Sequence, residues 1–301
     1  MKKYVLVICI VLCSVLPTLT QDDPVENFGR ILISFEIVID DNDFDSVVAF
    51  AAPSDLSRFY IAGNNGQVYI FDDKGDPQGI LESEIDGGID DMVVDVDNQL
   101  YIAHSGAIAF FDAEGEFIRE IPGSLTTQYY SRLATLDDGT FYATTFFGGD
   151  TLFHIGFDGR AVTPPHEEFF ENMTGDSPGI FDHFMVGEDG FLYYYHQSEG
   201  SFYQFDEFGE VRNRYVELIE QFTLRDAMVV DEDGQILVGG SNGVEIYGEK
   251  ESLVNQLAVD GRGFAQDMMF ADNGQLVVLQ SDRVTVLQYG ARDADDETEQ
   301  D

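Results

Sequence analysis

Asp90, Asp182 and Asp226 each stand seven residues ahead of a short polar turn, and so do Ser131 and Gln266. Those turns begin at Asp97, Asp189, Asp233, Asp138 and Asn273. One position further on, the same column reads Asp91, Arg132, His183, Ala227 and Asp267. If equivalent positions converge, three carboxylates and an amide meet at one place. Oxygen donors of this kind suit a hard cation such as Ca²⁺, so Asp90, Asp182 and Asp226 are candidate metal ligands. An aspartate near a strand start also accepts hydrogen bonds from local backbone amides, and that structural role accounts for the same residues without a metal. His183, beside Asp182, and Asp267 are the candidate general bases. A base needs an orienting acceptor and a reachable proton, and one neighbouring pair establishes neither.

Other constellations carry less. His104, His154, His166 and His196 show no metal-ligand spacing. Asp41-Asn42-Asp43-Phe44-Asp45 alternates carboxylates like a calcium loop, but Ser46 stands where the loop needs glycine and Ala52 where it needs a closing glutamate. Nucleophile elbows, phosphate loops and dinucleotide fingerprints are absent. Apart from Ca²⁺, no cofactor is expected.

The elements that position these residues recur along the chain. Each turn is followed by a strand-forming pair: Leu100-Tyr101, Phe141-Tyr142, Leu192-Tyr193, Ile236-Leu237 and Leu276-Val277, with a looser copy at Phe59-Tyr60. The spacing is 40 to 51 residues, a period that marks a repeat architecture. Within a repeat, Asp91–Asp95, Gln99–Ala103, Ala107–Phe111 and Glu116–Ile121 read as four short strands separated by Asp-Asn, Ser-Gly and Asp-x-x-Gly turns. Gly and Asn accept the positive φ that such turns need. Four-stranded antiparallel units stacked around an axis make a β-propeller.

Six units are counted, centred on 46–85, 89–121, 129–163, 180–216, 224–258 and 264–289. The last shows three strands. Ile31, Ile33, Phe35, Ile37 and Ile39 alternate with other residues at a period of two, so residues 30–39 are expected to complete the last blade and remove the open edge. The fold class is therefore all-β, a six-bladed propeller closed by an N-terminal strand. The longest insertion, residues 164–179, holds Pro164-Pro165, Phe169-Phe170 and a sequon at Asn172-Met173-Thr174. Its prolines argue against strand. It reads either as a binding loop or as a local aromatic cluster.

The phrases MVVDVDNQLYIA and VVDEDGQILVGG, with the Asp-x-x-Gly turns, resemble NHL-repeat proteins and related six-bladed propellers over residues 30–290. Related lactonases hold a divalent metal in the channel with acidic and Asn ligands, which the resemblance implies only in general terms here. WD-type propellers fit badly, because the chain has no Trp and no Gly-His…Trp-Asp signature.

Composition bounds the partners. Met1-Lys2-Lys3, an apolar run from Tyr4 to Leu16 and a small-residue exit read as a secretory signal over residues 1–20, giving a secreted propeller over 21–290 and a charged, disordered tail over 291–301. Cys9 and Cys13 lie in the signal, so the mature protein would contain no cysteine. Without Lys2 and Lys3, the 15 basic residues fall to 13 against 57 acidic ones, a balance of −44. Nucleic acid and anionic membrane, which need neutralising Lys and Arg, are excluded as partners. No lipid or membrane anchor is expected. The sequence points to a monomer that binds a protein, peptide or glycan at the channel mouth or a propeller face, with Tyr129-Tyr130, Phe146-Phe147 and Tyr193-Tyr194-Tyr195 as aromatic contacts wherever they are exposed. The alternative is a Ca²⁺-dependent lactonase or esterase-like hydrolase with its metal in the channel.

Overall fold

The computed structural model describes residues 29–39, 44, 46–82, 85, 87–123, 130–136, 138–145, 151–174, 183–196, 201–206, 211–215, 227–240, 243–248, 253–257, 259 and 265–289. Residues 1–20, read above as a signal, residues 291–301, Asp182 and Asp226 lie outside these residues. Strand β1 (Gly29–Glu36) comes first, followed by blade one, β2 (Val47–Ala51), β3 (Arg58–Gly63), β4 (Val68–Asp72) and β5 (Pro77–Ile80). Blade two is β6 (Ile89–Val94), β7 (Leu100–His104), β8 (Ala107–Phe111) and β9 (Phe117–Ile121). Blade three is β10 (Arg132–Thr135), β11 (Phe141–Thr145), β12 (Thr151–Ile155) and β13 (His166–Glu167), with helix α1 (Phe169–Thr174) behind it. Blade four is β14 (His183–Val186), β15 (Leu192–His196), β16 (Ser201–Phe205) and β17 (Val211–Tyr215). Blade five is β18 (Met228–Val230), β19 (Ile236–Gly240), β20 (Gly243–Tyr247) and β21 (Leu253–Leu257), and β22 (Ala265–Ala271), β23 (Gln275–Gln280) and β24 (Arg283–Tyr289) follow.

Six antiparallel four-stranded sheets result, and the last has the order β22-β23-β24-β1. The N-terminal strand therefore closes the ring as its alternation predicts. The register shifts between Ile31 and Ile33, however. This bulge turns Ile33 outward, at 37 % exposure, where strict alternation would have buried it.

Local turn chemistry sets the repeat. Asp72, Asp95, Asp112 and Asp231 each accept, on Oδ1, the backbone amides two and four residues ahead, at 2.8 to 3.1 Å. The residue three after each aspartate then takes positive φ: Gly75, Asn98, Gly115 and Gly234. At Gly75 a side chain is also excluded by space, since a Cβ there would sit 2.2 Å from the Phe35 ring of the closing strand.

The core consists of layers between neighbouring blades rather than one central mass. One layer joins Tyr101, Ile108 and Phe110 of blade two to Leu133, Phe141 and Ile155 of blade three. Another joins Val277, Val284 and Val286 of the last blade to Phe50, Phe59 and Phe71 of the first. Second strands such as β7, β11 and β15 are buried at every residue because a neighbouring blade covers each face. With the apolar mass between blades, the axis is left to the inner strands.

Blade three departs from expectation. Its fourth strand does not follow the Asp158-Gly159 turn. Ala161 makes only an isolated bridge to Ile155, and the inserted pair His166–Glu167 supplies the edge strand against Leu152 and Thr151. The insertion read as non-sheet thus contributes the blade's last two strand residues, just after Pro164-Pro165. Phe169 and Phe170 then pack into the layer that includes Phe184, Tyr194 and Phe205, which makes them a local aromatic cluster and not ligand contacts.

Candidate functional site

The six inner strands, β2, β6, β10, β14, β18 and β22, surround an axial cavity of about 850 Å³. At the end where these strands begin, Asp90, Asp91, Arg132, His183, Gln266 and Asp267 line it. At the other end the lining comes from Glu188, Glu232, Asp233 and Asp272, carboxylates at the far ends of inner strands that the columns do not reveal.

A repeated irregularity brings adjacent residues to the same mouth. Ile89 pairs with His104 and Asp91 with Ala103, so Asp90 is an extra residue in β6. Gln266 is the extra residue of β22, between Ala265 and Asp267, and Val48 that of β2. A bulge sets two residues against one on the partner strand and turns side chains that would otherwise alternate. Both sequence columns reach the cavity in blades two and six for this reason. Elsewhere the columns diverge: Ser131 is buried, with its hydroxyl directed to the Thr144 carbonyl at 3.4 Å, and Ala227 is buried in the layer between blades five and six.

The mouth is cross-braced. Asp91 Oδ1 accepts the Met92 amide at 2.9 Å, and Oδ2 accepts the Leu133 amide of the next blade at 2.8 Å. Burial pushes the Asp91 carboxyl above the ordinary aspartate range, opposed first by the Arg132 guanidinium, then by these amides and by His183. Arg132 Nη1 donates to the Asp90 carbonyl at 3.1 Å and to the Ser131 carbonyl at 3.4 Å. Its Nε is buried and meets no hydrogen-bond partner among the described residues, and the same holds for Gln266 Oε1. Asp267 Oδ1 accepts the Met268 amide at 2.8 Å, repeating the Asp91–Met92 geometry.

Of the proposed metal ligands, Asp90 lines the cavity, while Asp182 and Asp226 fall outside the described residues. Groups of three or more His, Cys, Asp or Glu placed to hold a metal do not occur among the described residues. His183 and Asp267, the candidate bases, both line the cavity. Of the aromatics named as contacts wherever exposed, Tyr130, Tyr193, Tyr194 and Tyr195 are buried between blades, and Tyr129, Phe146 and Phe147 lie outside the described residues. Arg132 is the residue that sequence reading undervalued. The signal was visible, since it is the one arginine in two columns otherwise filled by acids, amides, His, Ser and Ala.

Among the described residues, no helix is long and apolar enough to cross a membrane. The fold is that of a six-bladed β-propeller, and solved structures align with it. The streptogramin B lyase structure aligns with a TM-score of 0.62 at 11 % identity, covering 88 % of this chain and 99 % of that one. XC5397 from Xanthomonas campestris, described as a gluconolactonase, aligns with a TM-score of 0.62 at 14 % identity, covering 82 % and 88 %. The WD40 propeller domain of Doa1 aligns with a TM-score of 0.55 at 13 % identity, covering 80 % and 78 %. At these identities the likeness defines the fold alone. No family model and no curated protein matches the sequence.

Proposed function

We propose that the protein is a secreted recognition propeller that binds a polar ligand, a peptide, protein segment or glycan, at the channel mouth where the inner strands begin. One observation carries the reading: a cavity of about 850 Å³ whose mouth gathers Asp90, Asp91, Arg132, His183, Gln266 and Asp267. That is the size and donor–acceptor mixture of a ligand pocket. Asp91 commits both oxygens to backbone amides, so it holds the mouth in shape rather than acting on a substrate. The test is binding of the labelled protein to arrayed glycans and peptides, with hits measured again on His183→Ala and Asp267→Asn. Retained ligand, released unchanged and weakened by either variant, is the expected result. Turnover of the captured compound would overturn the non-enzymatic part of the reading.

The second reading is a Ca²⁺-dependent hydrolase of the lactonase or esterase kind. It is favoured by His183 and Asp267 sharing the cavity with Asp90. Asp90 and Oε1 of Gln266, which meets no hydrogen-bond partner among the described residues, are oxygen donors of the type that suits Ca²⁺, with Asp182 and Asp226 as the further ligands. A bound cation would polarise a carbonyl, and His183 or Asp267 would take the proton from the attacking water. Two of the fold's solved relatives are described as a lyase and a gluconolactonase. Calcium titration by calorimetry on wild type, Asp182→Ala and Asp226→Ala separates the readings. Saturable binding lost in both variants supports the hydrolase, and absence of binding in wild type removes it.

A further inference from the structure

Blade three carries two histidines that stand twelve residues apart in the sequence and that the fold brings to one face. His166 lies opposite Leu152 across the β12–β13 pair, and His154 is two residues beyond Leu152 on β12. Side chains two apart on a strand share a face, so His154 and His166 are diagonal cross-strand neighbours, a relationship that brings Cβ atoms within about 8 Å. Their rings meet one aromatic layer. His154 stacks on Tyr142 at 4.7 Å and His166 meets Phe169 edge-on at 6.0 Å, and Tyr142, Leu152 and Phe169 belong to the same packed group. Both histidines stay within reach of solvent, His166 exposed and His154 partly buried.

His154 is also oriented. Its Nε2 lies 2.8 Å from the Thr140 hydroxyl, and that hydroxyl lies 2.6 Å from Asp138 Oδ1. The hydroxyl has one proton to give. A carboxylate is the stronger acceptor, so Thr140 donates to Asp138 and the His154 Nε2–H donates to Thr140. A neutral imidazole then keeps its lone pair on Nδ1. The turn is complete without the ring, because Asp138 already accepts both the amide and the hydroxyl of Thr140. An imidazole whose N–H is fixed by an outer hydrogen bond, with its other nitrogen left to donate electrons, is the arrangement that stands behind metal-bound histidines.

We infer that His154, through Nδ1, and His166 form a two-imidazole site for a divalent first-row transition ion of the copper, nickel or zinc kind. Thr140 and Asp138 are positioning residues, and water completes the coordination. Imidazole suits these ions, whereas Ca²⁺ takes oxygen donors, so the site differs in place and in chemistry from the channel. Two protein ligands are compatible with the lack, among the described residues, of any group of three or more His, Cys, Asp or Glu placed to hold a metal.

Cu²⁺ binds tightest in this series and is the probe, added to the full chain in excess calcium so that surface carboxylates are occupied. The expected result is a bound copper whose electron paramagnetic resonance spectrum shows coupling to two imidazole nitrogens. His154→Gln and His166→Gln should each lose one of those nitrogens. Thr140→Val should keep both nitrogens and weaken binding by about tenfold to a hundredfold, the range for a lost outer-shell partner, and Thr140→Ser should restore it. A wild-type spectrum with one nitrogen or none overturns the site, and so does a two-nitrogen spectrum that survives either histidine variant. The wild-type spectrum decides even if a variant fails to fold. Unchanged copper affinity in Thr140→Val overturns the positioning role of Thr140 and Asp138.

Discussion

Tyr289, at the end of the last blade's third strand, donates a 2.6 Å hydrogen bond to Asp231 Oδ2 in blade five. The same Asp231 organises its own turn through Oδ1. One carboxylate therefore closes a hairpin and ties two blades together. In blades two and four the tyrosine comes from the aspartate's own blade, as in Tyr101 to Asp95 at 2.5 Å and Tyr193 to Asp189 at 2.6 Å. Burial, and then the carboxylate partner, raise the hydroxyl pKa of all three tyrosines. Tyr289→Phe should cost about 1.5–3 kcal/mol, the range for a hydrogen bond to a charged group. Urea denaturation checks this, and a change below about 0.5 kcal/mol, the noise of a surface substitution, would discount the brace.

Asp91 gives a second prediction. Asp91→Ala strands the Met92 and Leu133 amides and should destabilise by about 2–4 kcal/mol. Its pH signature is distinct. A carboxyl raised by burial binds more protons folded than unfolded between the ordinary aspartate pKa and its own. Its contribution is fully present below the ordinary range and is lost as pH rises through the raised value. The stability advantage of wild type over Asp91→Asn should therefore shrink as pH climbs through that window. An advantage that grew with pH would reverse the assignment.

Two glycines with nearly equal backbone angles separate strain from space. Gly75 and Gly139 have φ of 83° and 78°. Nothing lies within 4 Å of a Cβ at Gly139, whereas the Phe35 ring blocks one at Gly75. Gly139→Ala should cost about 1 kcal/mol, the strain of a left-handed alanine. Gly75→Ala should cost clearly more and loosen the closing strand. Equal losses in thermal unfolding would mean that Phe35 moves aside freely.

A net charge of −42 sets the fourth expectation. Self-repulsion is screened over about 8 Å at physiological ionic strength, so the melting temperature should rise with added salt. Sodium, potassium and choline chlorides should act alike if screening is the cause. A rise confined to millimolar calcium would instead point to a bound ion.

What the sequence discloses follows the range of the forces involved. The repeat was readable because Asp72, Asp95, Asp112 and Asp231 build their turns from contacts within four residues. The closing strand was readable from alternation, but the shift at Ile31/Ile33 was not, since pairing with β24 decides it. The edge strand at His166–Glu167 was missed for a similar reason: two residues carry no periodicity. The channel columns were legible by register. That adjacent residues such as Asp90 and Asp91 both serve the mouth depends on bulges that leave no local mark. Whether Tyr193–Tyr195 are exposed was not legible either, because blades cover both faces of a second strand, where alternation says nothing about exposure.

Closure by Gly29–Glu36 also imposes an order of events. Gly29 pairs with Tyr289 and Glu36 with Arg283, so the first described strand waits for the last described one. Joining ends about 250 residues apart costs about 5 kcal/mol of loop entropy if nothing between them has folded, and far less once the intervening blades have stacked. The ring is therefore expected to assemble blade upon blade and to shut at the end. Until then, Phe35 lacks its seat against Phe59 and Phe71, and the interval before shutting is when the unfinished protein is most open to capture by another chain.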